Sequence, residues 1–110
     1  MTKTPLSDPM IDQVSLLFLA LGDASRLKIL RTLQEAKAAM SQGALAQATG
    51  LSQANASKHL SQLVRVGLIT REAEGNTVFY QPVMPLVENL CEIVCGHVTE
   101  RIKSAYKAIK

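Results

Sequence analysis

Between Ser52 and Leu60 the chain reads Ser-Gln-Ala-Asn-Ala-Ser-Lys-His-Leu, a run of hydrogen-bonding side chains punctuated by small or aliphatic ones. Wound as a helix, this run and its continuation place Ala56, Leu60, Leu63 and Val64 on one stripe and leave Gln53, Asn55, Ser57, Lys58 and His59 outside it. Gln and Asn amides carry a donor beside an acceptor, the arrangement that pairs with an adenine edge, and Ser serves a base or a phosphate. The Lys58 ammonium suits a phosphate better than a base. Ala54 and Ala56 lack the bulk that would hold such a helix out of a duplex groove. A second chemical pair lies further along. Cys91 and Cys95 are four residues apart and share one face of any helix that carries them. Two thiolates suit a thiophilic metal or metalloid ion: arsenite, zinc or Cu(I). Oxidation is the alternative, to a partner chain or a persulfide, because a disulfide within one helical turn is strained. The plain reading also stands: both cysteines lie on an apolar stripe, and free Cys is among the most buried residue types.

The elements that must hold these groups follow from periodicity. Residues 1–8 read as a flexible tail. A helix over residues 9–21 starts at Pro9, carries Met10, Val14, Leu17, Phe18 and Leu21 at helical spacing, and stops at Gly22. Asp23 is a good N-cap for a second helix, with Leu27, Ile29, Leu30 and Leu33 expected inside and Arg26, Lys28 and Arg31 wet. Arg26 stands where the helix dipole disfavours a cation, so an ion pair with Asp23 or a phosphate contact is expected for it. Residues 36–40 read as a connector. Ser41 caps a third helix to about Ala48, Thr49-Gly50-Leu51 makes a tight turn, and Ser52 caps a fourth helix over 53–66. Leu68–Arg71 and Thr77–Gln81 are β-prone runs around a turn at Glu72–Asn76, giving a hairpin within 68–81. A long helix over 86–108 follows Pro82 and Pro85, with Val87, Cys91, Val94, Val98, Ile102, Ala105 and Ile109 in a near-heptad stripe. Met10, Met40 and Met84 are expected as core filler.

Two short helices joined by Thr-Gly-Leu and followed by a hairpin make a winged helix-turn-helix. Its first helix braces, and its second offers its N-terminal half to the major groove. The fold class is therefore mainly α with a small β-hairpin (α+β), in a single domain over 1–110: four helices, a two-stranded wing and a long C-terminal helix. In the wing, Glu72 and Glu74 are poor phosphate ligands, which leaves Arg71 and Asn76 as the contacts. Double-stranded DNA is the expected partner, and Ser52, Gln53, Asn55, Ser57, Lys58, His59, Arg71 and Asn76 are the expected contact set.

Charge distribution supports this more than net charge does. The formal charge is only +3, but no acidic residue occurs between Glu35 and Glu72. A surface that approaches phosphate is expected to lack carboxylates. Aromatic residues make up 4% and Trp is absent, which favours aliphatic helix packing. The chain contains no run of 18 apolar residues, so no membrane span is expected. Its N-terminal residues lack a signal-peptide core, and two cysteines four residues apart cannot staple a secreted scaffold; a cytoplasmic location fits.

The segments Leu21-Gly-Asp-Ala-Ser-Arg-Leu-Lys-Ile-Leu30 and Leu51-Ser-Gln-Ala-Asn-Ala-Ser-Lys-His-Leu60, with Gly67-Leu-Ile and Phe79-Tyr80 after them, resemble the ArsR/SmtB family of bacterial repressors. The resemblance covers roughly residues 10–105. It implies a homodimer that reads an inverted-repeat operator and pairs through the helices over 9–21 and 86–108. It places base contacts on Gln53, Asn55, Ser57 and His59. It also implies that a metal, a metalloid or an oxidant releases the DNA. The family's Cys-x-Cys sensor motif has no counterpart here, since residues 33–40 contain no cysteine. A second family site, with Asp and His at the start of the last helix, meets Met84 and Leu86 here and retains only His97 and Glu100. Half a site binds zinc poorly, because a tetrahedral centre wants three or four ligands.

Three function classes are open to such a sequence. A ligand-responsive repressor accounts for the reading helix, and one with no small effector remains an alternative. An enzyme is not expected: the sequence has no Ser-His-Asp arrangement, phosphate loop or paired carboxylates. A winged helix used only for protein contact is disfavoured by the acid-free stretch.

Overall fold

In the computed structural model, residues 6–109 are described, so part of the expected 1–8 tail lies outside the described residues. The order is α1 (Asp8–Leu21), α2 (Ala24–Ala36), β1 (Met40–Ser41), α3 (Gln42–Thr49), α4 (Gln53–Arg65), β2 (Ile69–Glu74), β3 (Thr77–Pro82) and α5 (Leu86–Ile109). Side chains set the helix starts. Asp23 Oδ1 accepts from Arg26 N–H at 3.1 Å, Ser41 Oγ from Ala44 N–H at 3.2 Å, and Ser52 Oγ from Asn55 N–H at 3.1 Å. Each accepts from a donor that the first helical turn would otherwise leave unpaired. Gly50 closes α3 in the left-handed conformation (φ 74°), and Leu51 N–H returns to Ala46 O at 3.1 Å. That tight reversal brings α4 across α3.

The core is aliphatic. Ile29, Leu30 and Leu33 from α2 meet Leu45 from α3, Leu60 and Leu63 from α4, and Leu68, Ile69, Tyr80 and Val87. Leu27 does not join them: it is exposed, because at 100° per residue it falls well outside the arc that Ile29, Leu30 and Leu33 define. The methionines correct a second expectation. Met10 on α1 and Met84 in the turn before α5 are exposed, and of the three only Met40 packs against the core.

The hairpin is tighter and longer than expected. β2 runs on through Glu72 and Glu74 because the reversal needs only Gly75 (φ 63°) and Asn76, with Glu74 facing Thr77. A third strand joins it. β1 pairs Met40 with Tyr80 and Ser41 with Phe79, so the sheet order is β1-β3-β2. Two residues are too few to show a strand period, and the connector reading missed them.

α1 and α5 differ from the rest. Of α1, only Ala20 is buried, while Met10, Ile11, Val14, Leu16, Phe18 and Leu19 are exposed. α5 buries Val87 near its start and then leaves Ile93, Val94, Val98 and Ile102 open, with Ile93 71% exposed. Among the described residues no helix is long and apolar enough to cross a membrane.

Candidate nucleic-acid interface

α4 is split as its sequence requires. Ala56, Leu60 and Leu63 are buried, while Gln53, Ala54, Asn55, Ser57, Lys58 and Ser61 are exposed. Gln53 is held in place by a residue the sequence reading missed. Gln42 Nε2 on α3 donates to both the backbone oxygen and Oε1 of Gln53, each at 3.2 Å. The Gln53 amide is thereby held against the start of α3, with its Nε2 beside Gly43. Gln42 carried no signal beyond polarity in a short helix. Ser52 is exposed; its oxygen caps α4, and its O–H remains a donor.

Arg71 and Asn76 are both exposed on the wing, Arg71 opposite Tyr80 and Asn76 at the tip. Alternation along β2 turns Glu72 and Glu74 to the other face of the ribbon from Arg71. Arg71 and the two glutamates are therefore on opposite faces of the wing.

His59 stands apart from the other α4 residues. It is half-buried, and its Nδ1 lies 3.3 Å from Arg26 Nη1. Arg26 is not free for an outward phosphate contact, and it does not use its guanidinium on Asp23. Its Nε–H donates to Ala20 O at 2.6 Å and Nη2–H to Leu19 O at 3.2 Å, at the C-terminal end of α1. A cation there meets the favourable end of that helix dipole. Asp23 takes the Arg26 backbone N–H instead. This bond and the nearby Arg26 and His59 charges hold its carboxyl below the usual 3.8.

Cys91 and Cys95 are reduced and exposed, and their sulfurs are 3.5 Å apart. They border an apolar groove of about 490 Å³ between α1, α2 and α5, whose walls include Phe18, Leu21, Leu27 and Val94. The hydrogen bond with Cys95, then burial, then the Cys95 and Glu92 charges push the Cys91 thiol up from its ordinary value. His97 and Glu100 are exposed on the same helix, and Glu100 pairs with Lys103 at 3.8 Å. Among the described residues no three His, Cys, Asp or Glu side chains gather to hold a metal ion.

Comparison with known proteins adds the family. Residues 21–72 match the model of a helix-turn-helix domain. A Halobacterium salinarum protein named as an arsenical resistance operon repressor, ArsR2, is 34% identical over 94 residues, which are 83% of this chain and 78% of that protein. The chain belongs to the ArsR family of transcriptional regulators. Solved structures agree in fold. The homodimeric winged helix-turn-helix DNA-binding domain of a Mycobacterium bovis protein is 28% identical, covers 93% of each chain and superposes with a TM-score of 0.80. Reduced HlyU from Vibrio cholerae is 31% identical over 79% of this chain and 90% of its own, with a TM-score of 0.67. The H. salinarum relative is named as a repressor and the M. bovis neighbour as a DNA-binding domain; the chain is a regulator rather than an enzyme.

Proposed function

We propose that this ArsR-family regulator is a homodimeric repressor of an inverted-repeat operator, released from DNA by a thiophilic metalloid at Cys91 and Cys95. The observation that carries the DNA part is the exposed, acid-free face of α4, with Gln53, Asn55, Ser57 and Lys58 outward. Gln53, Asn55 and Ser57 read base edges. Ser52, Lys58, His59, Arg71 and Asn76 hold the backbone and the groove rim. Pairing occurs through residues 9–21 and 86–108, because α1 and α5 leave more large apolar side chains open than an isolated soluble chain tolerates. The homodimeric M. bovis neighbour supports this reading.

The sulfur pair supports the effector. Two sulfurs bonded at about 2.3 Å to one tetrahedral centre stand about 3.8 Å apart. The observed 3.5 Å is close to that spacing and matches a narrower, pyramidal angle better. A neutral trihydroxy metalloid needs no preformed thiolate: two S–H groups exchange for two hydroxyls, two sulfur–metalloid bonds form, and two waters leave with no change of oxidation state. A Cys91 thiol pushed up in pKa suits that exchange better than attack on a peroxide. The name of the H. salinarum relative points to the same chemistry. His97 and Glu100 would hold zinc only with ligands from elsewhere. The test is fluorescence anisotropy on the chain's own promoter duplex, with wild type and the Cys91→Ser/Cys95→Ser double variant. Arsenite, zinc, Cu(I) and peroxide are added in turn. Arsenite is expected to release the wild type only; an identical response from the double variant removes the cysteines from the effector site.

A further inference from the structure

We infer that Arg26 and His59 form one relay that presents a single N–H to a phosphate oxygen of the operator, with Arg26 as the positioning residue. The inference rests on the proposed reading of α4 as the helix facing the duplex. Arg26 is fixed from behind by its two bonds to the carbonyls of Ala20 and Leu19. A guanidinium has donors and no acceptor. At 3.3 Å its Nη1 therefore makes His59 Nδ1 the acceptor, and the ring proton resides on Nε2. His59 makes no second side-chain hydrogen bond among the described residues, and no buried side-chain nitrogen or oxygen there lacks a partner. Nε2–H consequently reaches solvent. The other charged group near the ring is the Asp23 carboxylate, which already accepts from the Arg26 backbone.

Position on the helix selects the acceptor. At 100° per residue, His59 lies on the border between the buried arc of Ala56, Leu60 and Leu63 and the outward face centred near Ala54 and Lys58. A side chain at that border stands away from the outward centre, and a single donor there, with no acceptor beside it to read a base edge, matches a phosphate oxygen. A neutral donor fixed at that border meets a phosphate oxygen. Without Arg26 the imidazole could exchange its proton between nitrogens, and the outward atom would spend part of its time as an acceptor that phosphate repels.

Two measurements test this separately from the DNA reading itself. In the free protein near pH 8, nitrogen-15 spectra of the imidazole should report the Nε2–H tautomer for wild type and a mixture for Arg26→Met. A wild-type Nδ1–H tautomer overturns the relay whatever the DNA result. On the operator, Arg26→Met should weaken binding only by the fraction left in the wrong tautomer, about twofold for an even mixture, whereas His59→Ala should weaken it roughly 10- to 100-fold, as expected for losing a hydrogen bond to a charged group. His59→Gln carries its own amide donor and should make Arg26→Met nearly silent; additive losses in the double variant overturn the relay. Single methylphosphonates at the rim should cost wild type the larger factor and His59→Ala nothing further. Loss with 7-deazaguanine and none with methylphosphonate would assign the acceptor to a base and overturn the phosphate contact. If Arg26→Met fails to fold, the wild-type tautomer and the methylphosphonate scan still decide. Failure of Lys58→Glu to affect binding would refute the α4 reading instead, leaving the tautomer measurement intact.

Discussion

α4 and α5 are written in the same code and used in opposite ways. Each carries an apolar stripe at helical spacing and polar residues elsewhere. α4 buries Ala56, Leu60 and Leu63 within its own chain and turns its hydrogen-bonding groups out. α5 anchors Val87, with Leu90 half-buried against the core beside it, and leaves its stripe open over most of the rest of its roughly 36 Å length. A stripe therefore shows that a face will be covered; it does not show by which chain. The difference comes from what surrounds each helix. α2, α3 and β2 pack on α4, whereas α5 leaves the fold after Leu90.

The largest effect should come from the open stripe. Val98→Asp with Ile102→Asp is expected to leave a folded monomer and to lower operator affinity more than about 100-fold, since one subunit reaches one half-site. Sedimentation and anisotropy check both parts; a variant that stays dimeric would show that α5 is not the pairing helix. The buried stripe should behave otherwise. Leu63→Ala creates a cavity and is expected to cost about 2–5 kcal/mol, read by denaturant unfolding. Its dimerisation constant should hardly change. Lys58→Gln is expected to spare stability and reduce the salt slope of operator binding by about one per subunit. An unchanged slope would mean that Lys58 meets no phosphate. The smallest effect concerns Asp23. Its carboxyl is held below 3.8 in the folded chain, so its stabilising contribution is complete above that value and is lost as pH falls through the folded value. Asp23→Ala should lower the melting temperature slightly at neutral pH, with the gap closing in acid.

Much of this was legible in the residues. The caps at Asp23, Ser41 and Ser52, the Gly50 turn and the division of α4 into two faces are local properties, and local chemistry determines them. Long-range contacts were not legible. Arg26 was expected to serve Asp23 or a phosphate, yet it spans from the end of α1 to His59, 33 positions ahead in sequence. β1 is two residues long and exists only because β3 offers an edge. Leu27 looked buried because its type is apolar, but its angle on α2 puts it outside the core. At the candidate site, Gln53 was identified and its support from Gln42 was not, since a hydrogen bond between two helices leaves no mark in either one.

The unsatisfied faces of α1 and α5 also have a genetic consequence. If subunits pair through those helices and read through α4, the two tasks are separable by mutation. A chain with a defective α4 and intact α1 and α5 would still enlist normal copies, and each mixed pair would grip only one half-site. Such an allele should behave as a dominant negative, derepressing its target even beside a good gene. An allele broken at Val98 and Ile102 should be recessive, because it is never recruited into a pair.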